Sequence, residues 1–280
     1  MVKAKKGFNL FWTVLLSVAS VLYVYPILMI LLNSFKKETS ISTSTAFLPP
    51  TADTFAGAAN YVNAISSKGF LQSFWYSTLI TVTSVALILL CCSMCAWYIT
   101  RVNSLMSKAM YYLCVFSMVV PFQMVMFTLS QTADSLGLNK PSNIAIIYLG
   151  FGAGLAVFMF CGFVKSIPIE IEEAAMIDGC NPVRTFFSVV LPIMQPTYIS
   201  VGILETMWIW NDFLLPLLML GGRKSSKTLQ LAAYSFMGQY KMEWQNIMSA
   251  AILIIIPALI LYLIFQKSII KGVVAGAVKG

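Results

Sequence analysis

Glu205 and Asp212 are two carboxylates set in an otherwise apolar stretch of this 280-residue chain. An ionised group at the centre of a bilayer costs at least ~2.5 kcal/mol, so it should face a polar cavity or another helix. The two lie seven residues apart, about two helical turns, and so share one face; Trp208, between them, shares it too. Sugar recognition joins carboxylate or amide hydrogen bonds to aromatic stacking. Glu205, Trp208, Asn211 and Asp212 therefore make a chemically reasonable sugar-facing stripe.

A second concentration of chemistry is the polar island of Glu170, Glu172, Glu173 and Asp178, closed by Gly179. Ser166 reads as an N-cap, with Pro168 in the first turn, where its missing donor costs nothing. The glutamates then sit near the positive end of the helix dipole. Ala174 and Ala175 keep that surface thin enough to be buried against something. Asp178-Gly179 reads as a helix stop, and Asn181-Pro182 as a fresh start. Phe186 and Phe187 follow on the second helix, and Pro192 is expected to end its hydrogen-bond ladder. The spacing thus predicts two short helices with a tight turn over 166–192, one presenting carboxylates and small residues, the other two aromatics.

The surroundings of both features are apolar. The chain is 59% hydrophobic and only 10% charged, against roughly 25% charged in a soluble domain. Uncharged stretches run over 7–35, 69–100, 109–133, 141–164, 185–204 and 244–266. Each reaches the ~20 residues that a membrane-crossing helix needs. The alternation of a barrel strand is absent, so the expected class is an all-α polytopic membrane protein. Its six spans are expected near 11–33, 73–99, 109–129, 144–164, 197–220 and 245–266, with both termini on one side. Placing the N-terminus inside puts ten basic residues in the cytoplasm and eight outside, in line with the positive-inside rule. The segment from 36 to 70 is long for a loop and should fold into short interfacial helices. The basic start also resembles a signal peptide, but the run is too long and no small-residue cleavage site follows, so a retained first span is expected.

Several functions are excluded by composition. The net charge of +8 comes from basic residues standing singly at span ends, which fits a membrane surface and not a nucleic acid. Histidine is absent, removing the commonest metal ligand and general base. Cys91, Cys92 and Cys95 could mimic a metal cluster, but without a nearby histidine or carboxylate they read as small packing residues. Gly150, Gly152 and Gly154 allow a neighbouring helix to come close and do not make a dinucleotide loop. No catalytic or metal-binding set is identified, and no enzyme activity is expected.

Glu173-Ala174-Ala175, three residues, Gly179, nine residues, Val189, one residue and Leu191-Pro192 resembles the EAA loop of ABC importer permeases. Val189 stands where isoleucine is usual. Trp210-Asn211-Asp212-Phe213, the ending from Gly272 to Gly280 and Asn60-Tyr61 resemble the carbohydrate branch of that family, of the six-span maltose-transporter type. The resemblance implies a type I importer permease fold with a cytoplasmic coupling hairpin. It assigns ATPase coupling to Glu172, Glu173, Ala174, Ala175, Asp178, Gly179, Leu191 and Pro192. It implies a second homologous permease, two ATP-binding subunits carrying ATP and Mg, an extracytoplasmic solute-binding protein, surrounding lipid, and a bacterial or archaeal plasma membrane. No cofactor is expected on this chain, which has no Gly-x-x-x-x-Gly-Lys-[Ser/Thr] phosphate loop of its own.

Under that resemblance the segments are a first span with its loop (1–70), a permease core (71–272) and a cytoplasmic tail (273–280). ATP-driven closure would tilt the fourth and fifth spans through the hairpin. The stripe at 205–212 then has a second reading, in which it bonds across the interface to the other permease and holds the halves in register. A neutral sugar is favoured because the spans contain no basic residue; the alternatives are another small solute or an ion-coupled carrier using Glu205 and Asp212 as a proton relay.

Overall fold

In the computed structural model the backbone is described for residues 6–42, 44–67, 69–221, 227–238 and 242–277, and side chains for 10–42, 46–67, 69–221, 227–238 and 242–266. Lys3, Lys5, Lys68, Arg223, Lys224, Lys241, Lys279 and the last residues of the tail lie outside these ranges.

The described residues form α1 (Lys6–Ser34), α2 (Glu38–Ile41), a 3-10 turn (Ser44–Phe47), α3 (Ala59–Ser66), α4 (Phe70–Arg101), α5 (Leu105–Ser117), α6 (Phe122–Ser135) and α7 (Ala145–Val164). Then come α8 (Ile169–Ile177), α9 (Pro182–Thr185), a π-turn (Phe186–Val190), α10 (Leu191–Ile193), α11 (Gln195–Asn211), α12 (Leu214–Leu220), α13 (Leu229–Tyr234) and α14 (Trp244–Ala277). Four helices hold apolar stretches long enough to cross a membrane: Leu10–Ser34, Phe70–Arg101, Ala145–Val164 and Trp244–Gln266, with mean hydropathies from 2.1 to 2.8. Two further pairs are bent, α5 with α6 by 107° and Pro182–Ile193 with α11 by 78°. Counting each pair as one span gives six among the described residues.

Two predicted spans are therefore not single helices. The third breaks over 118–121, where Pro121 turns extended (φ −62°, ψ 134°) and the chain restarts as α6. Proline supplies no amide donor and disfavours helix in the residue before it. The fifth leaves the helix at Asp212 (φ −70°, ψ 131°) and restarts as α12. Pro26 and Pro257, by contrast, lie inside continuous helices.

The chain divides into two compact units. One comprises Met1–Leu71 and Ala232–Ile256. Its 36–70 segment does fold into short helices, held by buried polar groups around the end of α1. Asn60 Nδ2 donates to the carbonyls of Ser34 and Lys36, both at 2.8 Å. Ser34 Oγ meets Tyr61 Oη at 2.6 Å, and Ser249 Oγ donates to Ser34 O at 3.2 Å. Lys36 is buried and donates to Leu48 O at 2.5 Å; burial pushes its ammonium below the ordinary lysine value. The bonds from Asn60 and Ser249 to Ser34 O cap the last carbonyl of α1, which has no partner within the helix.

The other unit comprises Gln72–Leu231 and Pro257–Gly280. Its core runs along α7, where Tyr148, Gly152, Ala156, Phe160 and Val164 recur every fourth residue and are all buried. Small residues in the middle of that row let neighbours approach. Ile88, Cys92 and Ala96 of α4 and Met194 and Val201 near α11 complete the core. The cysteines pack here: Cys92 and Cys161 are buried, and Cys161 Sγ lies 3.7 Å from Ala96 O.

Candidate functional site

The first site is the hairpin between α7 and α11. Ser166 does not cap α8. Its hydroxyl donates back to Phe163 O at 2.7 Å and so closes α7, while α8 starts after an extended Pro168 without a side-chain cap. The stop at Asp178-Gly179 forms as predicted. Gly179 takes φ +85°, its N–H donates to Met176 O at 3.0 Å, and Cys180 N–H donates to Ala175 O at 3.0 Å. That bond pair is a Schellman cap, which needs a left-handed residue at the position glycine fills. Asn181 Oδ1 accepts from Arg184 N at 2.8 Å and starts α9, with Pro182 in its first turn.

Pro192 does not end the ladder. Leu191 N–H donates to Phe186 O across five residues, and this widened turn carries the helix past the proline. The 78° bend lies between Ile193 and Gln195, where Pro196 occupies the first turn of α11. Leu191 is half-buried and Pro192 is exposed at this bend.

Glu172, which the family resemblance places among the coupling residues, is buried. Its Oε1 accepts from Arg101 Nε at 3.0 Å and Nη2 at 2.7 Å, and its Oε2 from Trp97 Nε1 at 2.9 Å. Arg101 Nη2 also donates to Ile167 O at 2.9 Å. Phe186 is buried as well, its ring 5.5 Å from that of Trp97. Ala175 is buried beside this contact surface, whereas Glu173, Ala174, Asp178 and Gly179 are exposed. Ile177, 85% exposed, and Val183, 60% exposed, extend the outward surface with apolar area. The sequence marked Arg101 only as a charge at a span end and passed over Trp97. Their spacing of one helical turn was the available signal, but nothing local says what it faces.

The second site gathers only part of the predicted stripe. Because α11 ends at Asn211, Asp212 leaves the face that carries Glu205. Asp212 Oδ2 accepts from Tyr148 Oη at 2.9 Å and its Oδ1 accepts from Leu214 N at 3.0 Å, so it fastens the α11–α12 break to α7. The Trp208 ring stands edge-on to Tyr148 at 5.6 Å and is 42% exposed. Asn211 is exposed, its amide donating to Met207 O at 2.8 Å. Glu205 is buried inside this chain; an added Cβ on Gly152 would lie 3.0 Å from its Oε2, which has no hydrogen-bond partner among the described residues. Tyr148 is the residue the sequence reading missed. Tyr148→Phe keeps the ring contact with Trp208 and removes one hydrogen bond to a carboxyl; the expected loss is about 1–3 kcal/mol, read as a lower unfolding midpoint in detergent. An unchanged midpoint would show that the α11–α12 break does not depend on Tyr148.

Residues 88–274 match the family described as binding-protein-dependent transport system inner membrane component, which is more than half of the chain. The chain belongs to this family. The permease is 36% identical over 262 residues, 94% of each chain, to a probable starch degradation products transport system permease of Thermoanaerobacterium thermosulfurigenes. It is also 36% identical to a multiple sugar-binding transport system permease of Streptococcus mutans, over 99% of this chain and 100% of that one. Its fold matches a chain of a bacterial ABC transporter that imports the acidic polysaccharide alginate, with a TM-score of 0.80, 21% identity and coverage of 95% and 99%. The permease is thus a multi-pass, non-catalytic membrane component of an ABC importer with the corresponding all-α fold.

Proposed function

We propose that the permease forms half of the translocation path of an ATP-driven importer for a sugar or oligosaccharide. Relatives named for starch products and multiple sugars, alike to it over nearly their full length, carry the substrate class. The other half is a second, homologous permease; two ATP-binding subunits bind ATP and Mg below, and a solute-binding protein delivers solute from outside. Both termini are cytoplasmic and the hairpin faces the ATPases. The segments 1–70, 71–272 and 273–280 act as anchor and loop, permease core and tail.

Within the hairpin, Glu173, Ala174, Asp178 and Gly179 make the docking surface, supported by their exposure. Glu172 and Ala175 lie behind it, on the inward side of α8, and Leu191 and Pro192 continue the second arm toward the bend before α11. Trp208 and Asn211, exposed on α11, are the candidate sugar contacts, and Asp212 positions them through Tyr148. Glu205 supports this region from within.

The test is ATP-dependent uptake of radiolabelled oligosaccharides by vesicles holding the whole complex, with and without Gly179→Asp. A non-glycine residue held left-handed costs ~1–2 kcal/mol, so docking and uptake should fall about tenfold. No atom lies within 4 Å of the added Cβ, so the effect comes from the backbone and the new charge. Uptake driven by a proton gradient without ATP would overturn the reading.

A further inference from the structure

We propose that Glu172, Trp97 and Arg101 form a rigid clamp that makes α4 a third span driven by the hairpin, beside α7 and α11. This rests on the coupling role proposed above for the hairpin. Chain connectivity alone would deliver the hairpin's movement to the two helices it joins. The clamp adds a helix that is 71–75 residues away in sequence.

Three donors converge on one buried carboxylate, and together they fix position and orientation. The Arg101 fork takes Oε1 and the Trp97 indole takes Oε2, leaving neither oxygen unpaired. Charge-assisted and forked bonds of this kind are short and directional, so the contact cannot slide as an apolar one can. The same guanidinium reaches Ile167 O in the link between α7 and α8, so it binds both sides of the joint that would otherwise flex. Phe186 against Trp97 brings the second arm of the hairpin to the same helix end. The dipoles agree: Arg101 ends α4, where a cation is favoured, and Glu172 is in the first turn of α8, where an anion is favoured. Any displacement of α8 therefore acts on the last turn of α4. A 32-residue helix of ~1.5 Å rise per residue carries that displacement through the whole membrane.

The clamp and the docking surface are separate. Glu172, Trp97 and Arg101 do not belong to the outward face of Glu173, Ala174, Ile177 and Gly179, and the hairpin keeps its own caps at Gly179 and Asn181 without them. Loss of the clamp should leave the ATPases bound while the α7–α8 link absorbs their movement. Glu172→Gln is the discriminating variant. Its amide has the same shape, but whichever way it turns its NH2 meets an N–H donor of Arg101 or of Trp97. Trp97→Phe is milder, removing one donor and keeping the ring against Phe186.

The experiment uses the complete transporter in vesicles, in a form with the six cysteines replaced by alanine, and nitroxides on the thiols introduced by Val102→Cys and Glu170→Cys read by dipolar broadening. In the unaltered clamp the distance between labels should be the same without nucleotide and when trapped with vanadate. With Glu172→Gln it should differ between those states. Solute imported per ATP should fall about tenfold, within the span usual for coupled sites, while the ATPase subunits still copurify. The solute is whichever of maltotriose, raffinose and xylobiose the unaltered vesicles take up. Trp97→Phe should give a smaller loss in the same direction. A distance that changes on trapping in the unaltered clamp, or an unchanged import ratio in Glu172→Gln, overturns the proposal. Failure of the unaltered chain to retain the ATPases overturns the coupling reading itself, and the clamp with it.

Discussion

Gly154→Val should stop α5 from packing on α7 and lower the stability of the permease by about 3 kcal/mol, the upper end of ordinary overpacking. A Cβ at Gly154 would stand 2.5 Å from Met118 Cγ and 2.8 Å from both Cys114 O and Ser117 Oγ. The methionine can turn aside, but the carbonyl belongs to the backbone of α5 and moves only with the helix. A Cβ at Gly150 on the same helix would meet nothing within 4 Å, and Gly150 lines an apolar cavity of about 510 Å³ with room for Gly150→Val. Both variants carry the same cost or gain of helix propensity, so the difference between them isolates packing. Unfolding in detergent should give a clearly lower midpoint for the first and a shift under about 0.5 kcal/mol for the second. Equal midpoints would mean that the close approach of α5 and α7 contributes little.

Ile177→Glu should release the ATPase subunits without disturbing the fold. Ile177 ends α8 at the tip of the hairpin, with Met176 and Val183 also exposed. Large apolar side chains on a polar tip outside the apolar stretches mark a contact surface more strongly than those facing lipid. A side chain anchoring such a surface contributes about 2 kcal/mol or more, so docking should weaken ~30-fold. The added carboxylate also joins Glu170, Glu173 and Asp178 on the same short helix and turn, which deepens the loss. Copurification of the ATPases measures docking, and a detergent melt verifies that the fold is intact. Full retention of the ATPases by the variant would place docking elsewhere on the chain.

The two hairpin variants differ in kind. Under the proposed coupling role, Ile177→Glu tests attachment, whereas Glu172→Gln tests what attachment moves. Glu172 is buried and Ile177 exposed on one nine-residue helix, α8.

What the sequence alone determined about this chain is what depends on neighbours a few residues away. Composition sets the all-α membrane class, and the family pattern locates the hairpin. Asn181 does accept from Arg184, and Gly179 does take the left-handed turn, because both bonds close within six residues. The end of α6 at Leu136-Gly137 is legible for the same reason, with Gly137 at φ +68°. Local rules misplaced Ser166 and Pro192, where two legitimate local partners compete and the surrounding packing chooses between them. Ser166 could cap forward or bond backward, and it bonds to Phe163. The helix could stop at Pro192 or widen before it, and with Phe186 and Val190 buried it widens.

Only the tertiary structure decided which acids act where. Glu172 and Glu173 are adjacent and chemically alike, yet Trp97 and Arg101, more than seventy residues away, bury the first and leave the second outside. Asp212 shares a helical face with Glu205 in the sequence and loses it in the fold, where Tyr148 and the Leu214 amide hold it in the break after α11. A carboxylate's environment is set by whichever donors and apolar surface fold against it, and that arrangement has no periodicity along the chain for sequence reasoning to read.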